Sequence, residues 1–417
     1  MKNNLAKVAR SRSANTPATI TTAVANSNVK LVAQPHALAP NHSRIISYLE
    51  AHKPATPCLV VDLSIVAGKY GDLRAALPAA EIFYAVKANP APEILGRLVA
   101  LGSSFDTASA GEIRQVLAAG AKPAQISFGN TIKKPADIAF AHSAGVDLFA
   151  FDSAAELAKI AEHAPGARVF CRILVEAEGA LWPLNRKFGC APAMAADLLV
   201  AAASQGLKPV GVSFHVGSQQ LDPTQWGAAI ANAKFVFDRA AEQGVTLTLI
   251  DLGGGFPATY GPGVPTVAAY GAAIQRALKA SFGAKLPEII IEPGRYMVGD
   301  AGVLETEVVL VSQKSYEDDR RWVYLDVGRF GGLAEVEGEA IRYRIRPVAE
   351  SQAPEAPVVL AGPTCDSADI LYDKAGYTLP SDLASGDRLR LYSTGAYTTT
   401  YSAVNFNGFD PLRAIYI

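Results

Sequence analysis

Short apolar runs alternate with longer stretches of helical length from residue 57 onward. The first eight runs that read as strands are Ile82–Val86, Ser103–Asp106, Ile126–Phe128, Leu148–Phe151, Val169–Val175, Val210–His215, Leu247–Leu252 and Glu288–Ile291. Between them lie Ala- and Leu-rich segments that read as helices, such as Ala110–Ala119, Ala154–Glu162, Ala191–Ser204 and Trp226–Gln243. Strands that alternate with helices predict a parallel sheet whose strands are joined by helical crossovers.

Eight such units favour a closed (β/α)8 barrel, which we expect to occupy residues 66–298. The alternative is an open, doubly wound sheet. The GxGxxG fingerprint that usually follows the first strand of such a sheet is missing here. The barrel is therefore the preferred α/β architecture.

The pattern changes after about residue 300, where strand-like runs are separated by Gly, Pro and polar turns. These runs are Val308–Ser312, Trp322–Asp326, Ile341–Ile345, Val358–Ala361, Arg388–Ser393 and Ala414–Tyr416. Few segments there have helical length, so we predict a second, mainly β domain over residues 299–417. The segment 43–65 is expected to join it through an early strand at Leu59–Leu63.

Composition and charge exclude several classes of protein. Hydrophobic residues make up 50% of the 417-residue chain and charged residues 18%, which argues against a disordered chain and predicts a large buried interior or a subunit interface. No apolar run approaches the roughly 18 residues that a membrane span needs, so we expect no membrane segment. The net charge of −1 provides no general basic face for nucleic acid.

The first 42 residues differ from the rest of the chain. Lys and Arg occur before Glu50, whereas Asp and Glu do not, and no regular apolar period is present. We interpret residues 1–42 as a flexible basic arm, with a targeting peptide as the alternative. The four cysteines lack CxxC pairs and a disulfide-like spacing, which favours a reducing, cytoplasmic location.

Reactive and polar residues follow the predicted barrel strands at the point where each strand ends. They are Lys87, Asp106, Arg172, His215, Gly253–Gly255 and Glu292. The carboxyl ends of barrel strands converge on one mouth, where catalytic groups are expected. Their shared position predicts a single active site better than it fits core packing.

Lys87 stands between Ala85-Val86 and Ala88-Asn89, with little charge nearby in the sequence. Desolvation there would favour a neutral amine, which can form a Schiff base with an aldehyde cofactor. The alternative is a surface lysine at a strand end.

Three consecutive glycines, Gly253–Gly255, precede Phe256-Pro257. Glycines let backbone N–H groups approach a phosphate closely, and Arg295 could add a charged donor, although a tight turn alone would also explain them. Glu292 could face a pyridine nitrogen or form a structural salt bridge. His215 could stack on a ring or be a core residue, and Ser218 could bind phosphate or cap a turn.

Cys365 lies in a Gly-Pro segment followed by small polar residues, which predicts an exposed turn. A thiol there could deliver a proton or attack an electrophile, and Asp366 would suit a substrate ammonium. Metal binding is poorly supported, because no second Cys or His stands at ligand spacing from Cys365.

Together these motifs resemble the fold-type III pyridoxal-phosphate decarboxylases, which act on ornithine, lysine, arginine or diaminopimelate. The chain looks most like the bacterial ornithine decarboxylase branch, from about residue 50 to the C-terminus. The motifs that carry the resemblance occur in family order and are FYAVKAN, SSFDTAS, SFGNTIKK, SFHVGSQ, GGGFP, EPGRY, AGPTCDSAD and STGAYTTTYSAVNFNGF.

The resemblance implies that pyridoxal 5'-phosphate is bound in the barrel and that the β domain completes the site. Lys87 would bind the cofactor aldehyde, Glu292 would face the ring nitrogen, His215 would stack on the ring and Asp106 would lie near the imine. The remaining cofactor-binding residues implied are Arg172, Ser218, Gly253, Gly254, Gly255, Gly294, Arg295 and Tyr397, most of them at the phosphate.

The resemblance also implies a homodimer with shared active sites. Cys365 and Asp366 would come from the partner subunit, with Cys365 protonating the decarboxylated carbon. Lys187 and Asp369 match positions that pair across the interface. Where eukaryotic relatives place an aspartate for the distal amine of the substrate, Glu335 is the expected replacement.

The expected activity is decarboxylation of L-ornithine to putrescine and CO2 in polyamine biosynthesis. A lysine or dual lysine/ornithine decarboxylase is the main alternative, because one methylene separates the two substrates. Diaminopimelate is less favoured, since its distal carboxylate needs a cationic clamp and Asp366 and Glu335 are negative. A non-catalytic regulatory homologue would be expected to lack Lys87 or Cys365, and a racemase would need a second base.

Overall fold

The computed structural model describes residues 41–175, 179–182 and 187–417. In this part of the chain the strands are β1 Cys58–Val61, β2 Ala80–Ala85, β3 Ser104–Thr107, β4 Ile126–Phe128, β5 Leu148–Phe151, β6 Arg168–Arg172, β7 Ala180–Trp182, β8 Lys208–Ser213, β9 Ser218–Gln220, β10 Leu249–Asp251, β11 Glu288–Ile291, β12 Gly302–Ser312, β13 Arg321–Leu325, β14 Arg344–Pro347, β15 Glu355–Ala361, β16 Ile370–Tyr372, β17 Thr378–Pro380, β18 Arg388–Tyr392 and β19 Arg413–Tyr416. The α-helices are α1 Ser43–His52, α2 Leu63–Ala76, α3 Pro92–Ala100, α4 Ala110–Ala118, α5 Pro135–Ser143, α6 Ala154–His163, α7 Pro192–Ser204, α8 Gln225–Glu242, α9 Val267–Phe282 and α10 Arg295–Val298.

Eight parallel strands form a closed barrel in the order β10-β11-β2-β3-β4-β5-β6-β8, which confirms the predicted fold. Alternate residues of a strand face opposite sides of the barrel wall. In β5, Leu148 and Ala150 belong to a small cluster of strand residues only, whereas Phe149 and Phe151 pack in the large cluster that includes helix residues such as Leu157. Both faces of the wall are therefore buried, and for this reason its strands read as continuous apolar runs.

Polar side chains fix where several of the crossover helices begin. Ser109 and Ser153 accept a hydrogen bond from the backbone N–H three residues on, at the start of α4 and α6, and Asp62 and Thr266 cap α2 and α9. Because each cap fixes the first residue of its helix at the barrel mouth, the helix does not extend over the strand ends that carry the site.

The second domain is a nine-stranded sheet with the path β14-β18-β12-β13-β15-β16, to which β17 adds at β15. The predicted early strand is present as β1, which pairs antiparallel with β12 and parallel with β19. Helix α1 covers this edge, where Ile45 and Leu49 pack on Cys58, Val60 and Val303. From residue 302 on, the helical segments that the structure describes are short 3-10 turns.

Most of the predicted strands differ in their bounds from those of the structure, and two of the differences are explained by backbone contacts. The segment predicted as Ile341–Ile345 becomes a strand only at Arg344, because Ile341 N–H donates to the Glu335 carbonyl and closes a turn. The run predicted as Val169–Val175 ends at Arg172, after which Ile173 forms an isolated β-bridge with Cys190.

The predicted basic arm lies outside the described residues except for its last two. Of these, His42 is buried and its Nε2 donates to the Asp300 carbonyl at 2.8 Å. Among the helices of residues 41–175 and 187–417, none combines the length and the apolar character that a bilayer crossing requires.

Candidate active site

Lys87 lies on a 3-10 turn, Val86–Ala88, directly after β2. The β domain holds this turn in place, because Tyr397 N–H donates to the Ala88 carbonyl at 2.8 Å and Thr400 Oγ1 donates to the Lys87 carbonyl at 3.2 Å. The Lys87 side chain is 48% exposed and its Nζ lies 3.2 Å from Asp106 Oδ2. The amine is therefore accessible at the barrel mouth while its backbone is fixed from both domains.

The prediction that Lys87 carries a neutral amine is wrong for the structure. Burial lowers the pKa of Lys87, but the negative charge of Asp106, with contributions from Tyr397 and Glu292, outweighs it and raises the pKa above its ordinary value. The neighbours of Lys87 in sequence are apolar, whereas its neighbours in space are carboxylates from other strands. The side chain is accordingly an ammonium paired with Asp106.

Asp106 supplies an unused acceptor in this cavity. Among the described residues, its Oδ1 is buried and has no hydrogen-bond partner. A side chain at Gly129 would collide with this oxygen, so the glycine leaves the space in front of it open. An orphaned buried acceptor beside a lysine fits a ligand that brings a donor or a positive charge.

Glu292, immediately after β11, is half-buried and lies beside Asp251, which is buried at the end of β10. The two carboxyl groups are hydrogen-bonded to each other, and Asp251 also accepts from Gly253 N–H at 2.9 Å. Burial raises the pKa of Asp251 to about 7. Burial, followed by the charges of Asp106 and Asp251, raises the pKa of Glu292 well above its ordinary value. One proton is therefore retained between these acids near neutral pH.

Asp251 is absent from the sequence-based candidates, although it carries the same signal as the others. It ends a barrel strand, two residues before the first of the three glycines.

His215 is held as a neutral imidazole. Its Nδ1 accepts from Gly217 N–H at 3.0 Å, so that Nε2 carries the hydrogen and lies beside Gly254. Burial lowers the pKa of His215 well below its ordinary value, and the charges of Arg172 and Lys87 act in the same direction. Arg172, the last residue of β6, lies with its guanidinium 5.3 Å from the centre of the Phe188 ring.

The triple glycine forms a turn that other residues could not adopt. Gly253 and Gly255 have φ angles of 64° and 106°. A Cβ on Gly254 would lie 2.7 Å from the Glu292 carbonyl oxygen. The backbone can therefore come close both to the strand ends and to a ligand phosphate.

Arg295, at the start of α10, contacts Ser218 and Tyr397. Its Nε and NH2 donate to Ser218 Oγ at 3.2 Å, and its guanidinium lies 4.8 Å from the centre of the Tyr397 ring. Gly294, just before it, packs on Ala85 and Ala88, where a side chain would be too close. Ser218, Gly294, Arg295 and Tyr397 are thus brought together beside the strand that leads to Lys87.

Glu335 does not lie as predicted. Its carboxylate is buried and accepts two hydrogen bonds from Arg295, at 2.7 Å from NH1 and 2.5 Å from NH2. An acid engaged in this way is not presented as a free partner for the distal amine of a substrate. Tyr260, which accepts from Arg295 NH1 at 2.8 Å, is another residue that sequence reasoning missed, and its place in a loop gives no local signal.

Cys365 and Asp366 lie apart from this cluster on an exposed loop of the β domain. Asn407 Oδ1 accepts from the Cys365 backbone N–H at 3.1 Å and lies 3.4 Å from its Sγ, while Asp366 accepts from Ala368 N–H. Asp369 is buried and its carboxylate accepts from Arg329 and Thr364 within the same domain. The side chain of Lys187 is exposed and its Nζ lies 4.9 Å from the centre of the Phe188 ring.

The arrangement fits an aldehyde cofactor with a phosphate. Lys87 could hold the aldehyde, His215 and Glu292 could hold the ring, and the glycine turn with Ser218 and Arg295 could hold the phosphate. The charge of Arg172 acts on His215, and the Tyr397 ring lies against the Arg295 guanidinium, so both residues lie near the same groups.

The comparisons with known proteins agree with this geometry. Residues 63–299, more than half of the chain, match the family described as pyridoxal-dependent decarboxylase, pyridoxal binding domain. The lysine/ornithine decarboxylase of Selenomonas ruminantium is 37% identical over 361 residues, covering 86% of this chain and 89% of that protein. The ornithine decarboxylase of Schizosaccharomyces pombe is 34% identical over 378 residues, covering 86% and 82%.

A solved structure has the same fold over most of both chains. The lysine/ornithine decarboxylase from Vibrio vulnificus, complexed with cadaverine, superposes with a TM-score of 0.80 at 30% identity, covering 90% of this chain and 97% of the other. The chain belongs to the fold-type III pyridoxal-phosphate-dependent amino-acid decarboxylases and has pyridoxal 5'-phosphate as its cofactor.

Proposed function

We propose that the chain decarboxylates L-ornithine to putrescine and CO2, as a step of cytoplasmic polyamine biosynthesis. The observation that carries the proposal is that Lys87, Asp106 and Glu292 share one barrel mouth with a glycine turn and Arg295. Names of relatives that include ornithine and lysine/ornithine decarboxylases support the substrate class.

In this proposal the residues of the barrel hold and tune the cofactor. When bound, pyridoxal phosphate supplies an electron-withdrawing ring that accepts the electron pair left by CO2. Glu292, whose protonated form is favoured by burial and by its pairing with Asp251, would face the ring nitrogen and share its proton with it. Lys87 would hold the aldehyde carbon, with Asp106 beside its amine, and His215 would lie against the ring as a neutral imidazole.

The phosphate is assigned to the backbone of Gly253–Gly255, to Gly294 and to the side chains of Ser218, Arg295 and Tyr397. Arg172, at the same barrel mouth, is also assigned to cofactor binding. These groups offer neutral and cationic donors, which suit a phosphate dianion in a site of low dielectric constant.

Cys365 and Asp366 are proposed to act in the site of a second copy of the chain, in a homodimer. Cys365 holds the proton that is delivered to the carbon after CO2 leaves, and Asp366 faces the distal amine of the substrate. Their exposed position supports this assignment, because exposed residues are available to a neighbouring subunit. Lys187 and Asp369 are proposed to lie near that interface.

A dual lysine/ornithine decarboxylase is the second proposed function. Two relatives with this name, from Selenomonas and Vibrio, favour it. One methylene separates the substrates, and a pocket discriminates between them by only roughly 1–3 kcal/mol. A non-catalytic regulator is less consistent with the chain, since Lys87 and Cys365 are both present.

An amine-release assay with L-ornithine, L-lysine, L-arginine and meso-diaminopimelate tests the proposal. We expect the highest kcat/KM with ornithine. Equal kcat/KM values for lysine and ornithine would favour the dual enzyme, and activity with meso-diaminopimelate alone would overturn the substrate assignment.

A further inference from the structure

Arg295 and Glu335 form a buried ion pair between the two domains. Arg295 follows the last barrel strand, and Glu335 lies on the 3-10 segment Ala334–Glu339 of the β domain. The pair is bidentate, with both side chains less than a tenth exposed, at 3% and 7%. A planar guanidinium held by two parallel hydrogen bonds has a fixed orientation as well as a partner for its charge.

The remaining contacts of this guanidinium lead to Ser218. Arg295 donates through Nε and NH2 to Ser218 Oγ, both at 3.2 Å, while NH1 also reaches Tyr260. A hydroxyl group has two acceptor lone pairs and one hydrogen. Because Arg295 occupies the acceptor side of Ser218, the hydroxyl hydrogen is directed away from the arginine.

We propose that Glu335 is a positioning residue for the phosphate of the cofactor: it orients Arg295, which in turn directs the Ser218 hydroxyl toward that phosphate. The inference rests on the assignment of Ser218 and Arg295 to the phosphate in the proposed function. It replaces the expectation that Glu335 binds the distal amine of the substrate.

The surroundings of Glu335 support this role over the substrate role. Val327, Gly328, Phe330 and Gly331, which precede this 3-10 segment in the chain, line a cavity of about 290 Å3 that also reaches Thr364, beside Cys365. Glu335 instead points to Arg295, and the Tyr260 ring beside it packs edge-on against Tyr343 at 5.5 Å. Residues 327–331 thus border the cavity, whereas Glu335 anchors the arginine assigned to the phosphate.

The test compares cofactor binding with and without the phosphate. Full-length wild type, Glu335→Gln and Glu335→Ala, freed of cofactor, are titrated with pyridoxal 5'-phosphate and with pyridoxal, which keeps the aldehyde and ring but lacks the phosphate. Visible absorbance reports binding of either aldehyde. Glu337→Gln is the matched control, because Glu337 lies on the same segment but is exposed and pairs with Arg329.

Both Glu335 variants are expected to weaken binding of pyridoxal 5'-phosphate by roughly 10- to 100-fold, the range for a lost hydrogen bond to a charged group. Binding of pyridoxal should change by less than about twofold, and Glu337→Gln should leave both constants unchanged. Equal losses for the two aldehydes would indicate a general disturbance of the pocket and would overturn the proposal. Unchanged binding of both aldehydes, with a raised KM for ornithine or lysine, would return Glu335 to the substrate.

A double-mutant cycle keeps the proposal testable if Glu335→Ala does not fold. In a Ser218→Ala background, Glu335→Gln should weaken pyridoxal 5'-phosphate binding less than it does in the wild type, because one of the two phosphate ligands that Glu335 positions, Ser218 and Arg295, is then already missing. Fully additive effects of the two substitutions would show that Glu335 does not act through Ser218. No amino acid is present in these titrations, so a wrong substrate assignment would leave their result standing.

Discussion

The barrel mouth and the Cys365 loop carry reactive side chains in opposite surroundings. At the mouth, Lys87, Asp106 and Glu292 extend from neighbouring parallel strands and determine one another's charge. On the loop, Cys365 is exposed and its thiol contacts Asn407 of the same domain. Under the proposed function, one subunit alone builds the cofactor half of the site, and Cys365 completes the site of a second copy of the chain. Substitutions in the two regions should therefore separate cofactor binding from turnover.

The largest effect is expected at Lys87. Lys87→Ala removes the group that binds the cofactor aldehyde, so kcat should fall by roughly 1000-fold or more and the visible absorbance of the bound cofactor should disappear. Absorbance spectra and amine release measure the two effects. Lys122→Ala, at an exposed lysine outside the mouth, is the control and should retain both. If the Lys87→Ala protein kept both the visible absorbance of the bound cofactor and full turnover, Lys87 would not be the group that binds the aldehyde.

Cys365→Ala should affect turnover alone. Loss of a proton donor is expected to lower kcat by about 100- to 10,000-fold while the cofactor absorbance stays unchanged. If the donor acts in the partner's site, mixing Lys87→Ala with Cys365→Ala at equal amounts should restore about a quarter of the wild-type activity, because half of the dimers then contain one intact site. Activity that does not rise on mixing would place Cys365 and Lys87 in the site of the same subunit.

The sequence was sufficient to place the side chains that follow the ends of barrel strands. Lys87, Asp106, Arg172, His215 and Glu292 each follow a barrel strand, and the closed sheet necessarily brings those ends together. Their electrostatic state could not be read in the same way. The amine of Lys87 appears isolated along the chain, yet its pKa is set by carboxylates that approach from strands distant in sequence.

Loop residues were harder to place than strand residues. Glu335 has the charge expected of a substrate ligand, and its pairing with Arg295 depends on how the two domains meet, which no local pattern records. Tyr260 and Asn407 likewise owe their positions to contacts between distant segments.

The carboxyl pair at the mouth should make stability depend on pH. The raised pKa of Asp251 means that the folded chain holds a proton between about pH 4 and 7 that the unfolded chain releases. Stability should therefore fall as pH rises through this range, and Asp251→Asn should remove the part of this dependence that Asp251 contributes, while the raised pKa of Glu292 maintains the rest. Urea unfolding of the cofactor-free protein at a series of pH values measures the effect.

His215 makes the opposite contribution to the dependence of stability on pH, since its lowered pKa reduces stability below about pH 6.5. The difference between wild type and Asp251→Asn cancels that contribution. A constant difference across the range would contradict the shared proton.

The smallest effect is expected at Asn407, and it refines the comparison within the loop half. Asn407 has a φ of 52° and accepts hydrogen bonds from both the backbone and the thiol of Cys365. Asn407→Gly keeps this backbone conformation accessible and removes the acceptor, so Cys365 should lose its orientation and kcat should fall about 3- to 10-fold. Asn407→Asp retains an acceptor and should stay within about twofold of wild type in kcat. Cofactor absorbance and KM should be unchanged in both variants, because the barrel mouth is untouched. If Asn407→Gly lowered cofactor binding instead of kcat, the two regions would be coupled, and the separation between a cofactor half and a turnover half would not hold.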